Sequence, residues 1–220
     1  MRGTARWLGI PALLLWTTVG SAQSRSAPIR GRWALGVSVG VSSFSAASEG
    51  SAADGEHLEF SAYRPTMFGV ALAFGGERLR LNAAARYGEP GLGARGLTVS
   101  DGEQPAAGAL VVLDGAYHLT SFTLGGSTRL LRLRGGPSLR PSLAVNLERW
   151  TGVGSPTRSI LAGQAGLTLE VALTRAFVGT LEGELGYSPA SPFRKEDLPQ
   201  DFLRHGVWRR TLAGGFYWRF

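Results

Sequence analysis

Cysteine is absent from this chain of 220 residues, and its absence excludes several kinds of chemistry. Without a thiol there is no disulfide framework, no cysteine nucleophile and no cysteine to carry a lipid anchor. Lysine occurs once, at Lys195, so the formal net charge of +7 comes almost entirely from arginine. The arginines are scattered rather than clustered, which argues against nucleic acid as a partner. The three histidines lie in no metal-ligand spacing, so neither a metal nor a cofactor is predicted.

Long apolar runs are also missing, except at the start of the chain. At a mean hydropathy of +0.03, no later segment reaches the roughly 20 apolar residues that a membrane-spanning helix needs. The first residues combine a basic start at Arg2 and Arg6, an apolar middle and a small-residue site that ends at Ala22. This order is typical of a secretory signal peptide. We therefore predict that residues 1–22 are removed and that residues 23–220 form one exported domain.

The chain holds 32 glycines and few helix-forming residues in periodic array, and its apolar residues instead alternate with period two. In Arg78–Tyr87, for example, Leu79 and Leu81 face one side while Arg80 and Arg86 face the other. A polar inner face and an apolar outer face are expected of a barrel in lipid, and a soluble barrel would reverse them. This alternation predicts strands at 32–44, within 58–74, at 78–87, within 109–133, and at 139–148, 160–173, 177–187 and 207–220.

The last segment carries the sharpest motif. Its large apolar residues share one face: Leu212, Phe216, Trp218 and the terminal Phe220. This arrangement resembles the assembly signal of bacterial outer-membrane β-barrel proteins. The resemblance implies an all-β fold, a closed antiparallel up-and-down transmembrane barrel similar to OmpA or OmpX. It also implies export to the outer membrane, contact with outer-membrane lipid and lipopolysaccharide, and the barrel-assembly machinery as a partner during biogenesis.

The number of strands stays open between eight and ten. Long loops are predicted at 45–57, 88–108 and 188–205, and a short loop at 151–158. Residues 88–133 are ambiguous because the alternation changes phase near Thr120, which a bulge or a turn would cause. A G-x-G-x-x-G spacing at residues 91–96 has no helix after it, so we interpret it as loop glycine rather than a nucleotide site.

Charged residues on the inner faces predict a polar network in the lumen. Bases concentrate on the strand 78–87 and acids on the strands after residue 140, so opposite charges should meet across a narrow interior. The predicted set is Arg78, Arg80, Arg86, Arg140, Glu148, Glu170, Glu182, Glu184 and Arg219. Aromatic residues near strand ends are predicted to form girdles at the two membrane interfaces: Tyr63, Tyr87, Trp150, Tyr187, Trp208 and Trp218.

These patterns favour a structural or surface-interaction role with a salt-bridged, plugged lumen. A narrow pore or small-ligand transporter is the alternative, and no ligand is predicted. A lipid A-modifying enzyme is less favoured, because its best candidate is His118 with Thr120 or Ser121 and Asp114. Ser121 falls on the opposite face from His118, and the group is predicted to lie toward the periplasmic end, so we predict no enzymatic activity.

Overall fold

A computed structural model describes residues 33–51, 57–99, 106–132, 136–152, 154, 156–194, 196 and 202–220. The predicted signal peptide lies outside these residues. Within the described part of the chain, no helix has the length and the apolar content of a transmembrane helix. The described chain forms strands throughout: β1 (Trp33–Phe44), β2 (Ser48–Ser51), β3 (His57–Tyr63), β4 (Thr66–Gly75), β5 (Leu79–Gly88), β6 (Gly91–Val99), β7 (Ala106–Leu113), β8 (Tyr117–Thr128), β9 (Leu131–Arg132), β10 (Ser138–Gly152), β11 (Arg158–Ala172), β12 (Phe177–Ser188), β13 (Leu203–Arg204) and β14 (Val207–Arg219).

Eight strands close into an antiparallel barrel. The order around it is β1, β4, β5, β8, β10, β11, β12 and β14, after which β14 returns to β1. The prediction of a closed eight-stranded barrel is confirmed, and the alternative of ten is wrong. Closure gives every barrel strand two partners, which matters because an unpaired backbone group in hydrocarbon costs several kcal/mol.

The seam between the first and last strands runs over eleven residue pairs, from Ala34 opposite Arg219 to Phe44 opposite Arg209. The inner face of this seam depends on a small residue. Gly36 lies opposite Tyr217, and a Cβ atom there would come within 2.6 Å of the tyrosine ring. The Phe220 N–H also donates to the Trp33 carbonyl over 3.1 Å, so the first described residue, Trp33, and Phe220 lie at one end of the barrel, called here the terminal end. The opposite end is called the loop end.

The barrel surface is apolar and the interior is polar, as the alternation predicts. Exposed outward side chains include Val37, Phe68, Leu124, Leu143 and Leu181, while Asn146, Glu148 and Glu170 are buried inside. Four of the six predicted girdle residues, Tyr87, Tyr187, Trp208 and Trp218, are exposed large side chains on strands. The prediction for Trp150 is wrong: it is 2% exposed and faces the interior, because it shares the parity of Glu148 on β10.

A second sheet continues one wall of the barrel beyond the loop end. Its order is β13, β2, β3, β6 and β7, and these strands adjoin β14, β1, β4, β5 and β8 in the chain, which are neighbours in the barrel in the same order. The predicted loops at 45–57, 88–108 and 188–205 are therefore wrong in part, since each contains at least one strand of this sheet. Pro65 and Pro90 stand at the junctions between the two sheets, where a residue without an N–H interrupts the ladder.

The predicted irregularity near Thr120 is absent from the structure. β8 pairs with β5 and with β10 without a register shift, so its alternation is continuous. The spacing of apolar residues changes phase in the sequence because Leu119 is apolar yet faces inward, where it is fully buried. The residues at 91–96 lie in β6 rather than in a loop, and the next described element is the strand β7.

Leu119 belongs to a group of buried apolar side chains at the loop end. One buried cluster contains Ala62, Met67, Leu119, Trp150 and Ile160, and a second contains Ala47, Phe193 and Val207. Phe44 and Tyr117 pack against both clusters. Phe193, from the segment after β12, is 1% exposed, and its ring lies 5.5 Å from that of Tyr117. We call these residues the apolar cap.

Candidate functional site

The charged interior forms three clusters along the barrel, and the first lies directly beneath the apolar cap. Glu148, only 3% exposed, accepts hydrogen bonds from four side chains. Arg209 Nη1 donates over 2.7 Å, Trp150 Nε1 and Ser188 Oγ over 3.1 Å, and Asn146 Nδ2 over 3.2 Å. Arg209 also donates to Gln164 Oε1 over 2.7 Å. We call these residues the Glu148 cluster. Their hydrogen bonds satisfy the ion pair of Glu148 and Arg209, and a buried ion pair is tolerated only when its groups are satisfied in this way.

The second cluster spans the lumen from β5 to β12, four strands away around the barrel. The Arg86 guanidinium donates with both terminal nitrogens to the carboxylate of Glu184, with Nη2 lying 2.8 Å from Oε1. Arg86 Nη2 also lies 3.2 Å from Glu182 Oε2. A bidentate contact of this kind fixes the orientation of both side chains. The Arg86 cluster therefore ties opposite walls together.

The third cluster lies nearest the terminal end and is rich in arginine. Glu170 is contacted by three guanidiniums: Arg80 Nη1 at 2.6 Å, Arg219 Nη2 at 3.3 Å and Arg140 Nε at 3.8 Å. Ser138 Oγ donates to the same carboxylate over 3.4 Å. We call these residues the Glu170 cluster.

Two further arginines lie on the rim beside it. Glu77, in the turn between β4 and β5, accepts from Arg129 Nη1 over 2.7 Å and lies 3.6 Å from Arg132 Nη1. The hydrogen bond from Arg129 lowers the pKa of Glu77 below its ordinary value, against a smaller opposing effect of burial. Because Glu77 stays ionised, it balances part of the positive charge on this rim.

A cavity of about 70 Å³ lies among Arg80, Arg86, Arg140 and the carboxylates of Glu170, Glu182 and Glu184. That volume holds about five to seven water molecules, at roughly 10–15 Å³ each. Among the described residues, no group of histidine, aspartate and glutamate side chains is placed to hold a metal ion.

The barrel thus combines a closed ring of eight strands with an apolar outer surface and paired charges inside. The chain has the fold of the small outer-membrane β-barrels. Neisserial surface protein A superposes with a TM-score of 0.57 at 9% identity, over 86% of this chain and 97% of that one. The outer membrane protein OprG from Pseudomonas aeruginosa gives a TM-score of 0.53 at 10% identity, over 86% and 97%. No protein-family model and no curated protein matches the sequence.

The lumen of this outer-membrane-type barrel contains eight of the nine predicted network residues. Arg80 and Arg86 meet Glu170, Glu182 and Glu184 across the interior, as predicted. Arg78 is the exception, since it lies in the turn before β5 and its side chain is exposed. Alternation predicts a face only within a strand, and Arg78 precedes the first residue of β5.

Sequence reasoning missed Arg209, the partner of Glu148. The signal was present, because Arg209 lies an even number of residues from Arg219 and therefore faces inward on the same strand. The residues predicted as an assembly signal, Leu212, Phe216, Trp218 and Phe220, lie on the exposed outer face of the seam. Their role in assembly stays a prediction.

The histidine group considered as a catalytic site lies at the loop end of the barrel. β8 starts there, because the β6–β7 hairpin returns the chain to that end. His118 is exposed on the outer surface, where its Nδ1 lies 3.0 Å from Tyr87 Oη. Ser121 faces the interior and is 1% exposed. The two side chains therefore lie on opposite sides of the barrel wall.

Proposed function

We propose that the protein is a non-conducting outer-membrane barrel that presents its second sheet at the cell surface for interaction. The observation that supports the proposal is the apolar cap, whose buried apolar side chains lie at the loop end above the Glu148 cluster. Ions would have to cross buried apolar side chains and then three clusters of paired charge. A barrel closed in this way offers a scaffold in the membrane rather than a passage.

The orientation follows from the loop lengths. Outer-membrane barrels have short turns and both termini on the periplasmic side, and their longer connections face outward. Here the terminal end has brief turns, such as 76–78 and 173–176, while the loop end continues into a five-stranded sheet. We therefore assign the second sheet to the extracellular side and the Glu170 cluster to the periplasmic side.

Planar-bilayer recording tests the closed lumen. The wild-type barrel should show no steady conductance, whereas a variant with Leu119→Ala and Phe193→Ala in the apolar cap should show brief openings. Phe122→Ala is the matched control, because Phe122 is exposed to lipid on the same strand as Leu119. Steady conductance in the wild-type protein would contradict the proposal and favour the transporter.

Epitope insertion tests the orientation. A tag at Gly115, in the exposed turn before β8, should bind antibody on intact cells. A tag at Gly76, where an added Cβ atom meets nothing within 4 Å, is the control at the terminal end. It should bind antibody only after the outer membrane is permeabilised. The reverse pattern would show that the assigned orientation is wrong.

A further inference from the structure

The Glu170 cluster carries more positive charge than its single carboxylate balances. Arg80, Arg140 and Arg219 all approach Glu170 within 4 Å. Arg80, Arg86 and Arg140 line the cavity together with the carboxylates of Glu170, Glu182 and Glu184. Arg219 contacts Glu170 from outside the cavity lining, so four guanidiniums accompany three carboxylates. A buried cation is costly unless a counter-charge accompanies it. The excess therefore calls for one more negative group at this end of the lumen.

Arg140 has hydrogen-bond donors that no described residue accepts. It is only 2% exposed and lines the cavity. Its Nη1 donates to the Glu77 carbonyl over 2.8 Å, but Nε and Nη2 are buried and have no hydrogen-bond partner among the described residues. The 3.8 Å between Nε and Glu170 is an ion-pair distance and too long for a hydrogen bond. Buried donors are normally paired, so two free ones on one guanidinium indicate a missing acceptor.

Strand register places further donors beside these nitrogens. Arg80, Ser127 and Ser142 form a row across β5, β8 and β10, because Arg80 pairs with Ser127 and Ser127 pairs with Ser142. Arg140 lies two residues from Ser142 on β10 and pairs with Thr168 on β11. All five side chains line the same cavity. The cavity wall at this level thus combines two guanidiniums with three hydroxyl groups.

We propose that this part of the lumen binds a tetrahedral oxyanion of the phosphate or sulfate class, held by Arg140 and Arg80. A guanidinium fork matches the spacing of two oxygens on such an anion, and the hydroxyl groups can donate to the others. The anion enters from the terminal end, since Arg219 there is partly exposed and the buried side chains of the apolar cap lie at the other end. The site lies apart from the surface role proposed above and does not depend on it.

Thermal unfolding of the purified barrel in a maltoside detergent, which contains no phosphate, tests the site. The midpoint should rise with inorganic phosphate and then saturate, because a ligand that binds only the folded state stabilises it. Sulfate should act similarly, and sodium chloride at matched ionic strength should not. A phosphate effect that does not saturate, or an equal effect of chloride, would overturn the proposal.

Variants assign the effect to Arg140. Arg140→Gln should remove the phosphate-dependent shift, while Arg78→Gln, at an exposed arginine in the neighbouring turn, should keep it. If Arg140→Gln does not fold, Arg140→Lys keeps the charge but loses the fork, and phosphate affinity measured by calorimetry should fall about tenfold or more. Unchanged affinity in both Arg140 variants would refute the assignment.

A final arm separates a free anion from a lipid headgroup. A shift with phosphate in maltoside alone assigns the free ion. A shift that appears only when phosphatidylglycerol replaces a galactolipid in mixed micelles assigns a headgroup phosphate, and it should also be lost in Arg140→Gln. A barrel that responds to neither source does not have the proposed site.

Discussion

Replacing Glu148 by leucine should destabilise the barrel far more than replacing an exposed carboxylate. The change removes the acceptor of four hydrogen bonds and leaves the Arg209 guanidinium buried without a counter-charge. Breaking a buried pair by removal of one partner costs about 3–5 kcal/mol. The folding equilibrium constant should therefore fall by roughly two to four orders of magnitude.

The structure also predicts what restores the loss. Adding Arg209→Met to Glu148→Leu removes the unpaired charge, and replacing a buried pair by apolar side chains is often neutral. In the double variant the Trp150, Asn146 and Ser188 donors lose Glu148, and the Gln164 amide oxygen loses Arg209, at about 1–3 kcal/mol for each buried group left unpaired. We therefore expect partial recovery, with a coupling energy between the two sites of about 2 kcal/mol or more.

Urea-induced unfolding in lipid vesicles, followed by tryptophan fluorescence and by heat-dependent gel mobility, measures these differences. The pair of Glu77 and Arg129 is the control, because it lies at the rim with Glu77 about half exposed. Its coupling energy should stay within about 1 kcal/mol. The reasoning fails if Glu148→Leu lies within about 1 kcal/mol of wild type, or if both pairs couple equally.

Three further outcomes follow from the seam and the rim. Deleting Phe220 should leave the precursor exported but poorly inserted, and normal surface levels would contradict the assembly-signal prediction. Gly40→Val should destabilise the barrel by about 1–3 kcal/mol, because a Cβ atom at Gly40 lies 2.5 Å from the Leu212 carbonyl. Gly183→Val, at an exposed position where a Cβ atom meets nothing within 4 Å, should unfold as wild type does, and equal losses at both sites would refute the steric argument. The lowered pKa of Glu77 contributes stability above its unfolded pKa that is lost as the pH falls through its folded pKa. Stability measured from pH 7 to pH 3 should therefore fall slightly less in Glu77→Gln than in wild type, and identical curves would refute that contribution.

Alternation alone predicted most of the barrel and much of its interior. Lipid outside and a narrow lumen inside impose opposite chemistry on successive residues, so parity along β5, β11 and β12 was enough to place Arg80, Arg86, Glu170, Glu182 and Glu184. The same alternation also places Arg209 and Trp150 on the inner face. Both were missed because a basic residue near the start of a strand and an aromatic residue near the end of one are equally compatible with a position at the rim of the barrel.

The second sheet and the apolar cap carried no comparable signal. β6 and β7 are rich in glycine and alanine, so neither shows strong alternation of polar and apolar residues. Phe193 belongs to the same buried cluster as Ala47 and Val207. Ala47 lies far from Phe193 in the sequence, and Val207 lies beyond β13. The inward position of Leu119 was also difficult to predict. An inward-facing leucine is favourable only where other apolar side chains pack against it, as they do in the cap.

The seam between β1 and β14 also gives closure a means of rejecting wrong registers. A slip of one residue would turn the polar face of β14 toward lipid. A slip of two keeps the faces correct but brings the Tyr217 ring opposite Ala34 or Ser38, each of which carries the Cβ atom that Gly36 lacks. The pairing of β1 with β14 therefore discriminates among alignments that place the same faces toward lipid, and the absence of a side chain at Gly36 contributes to the fidelity of ring closure.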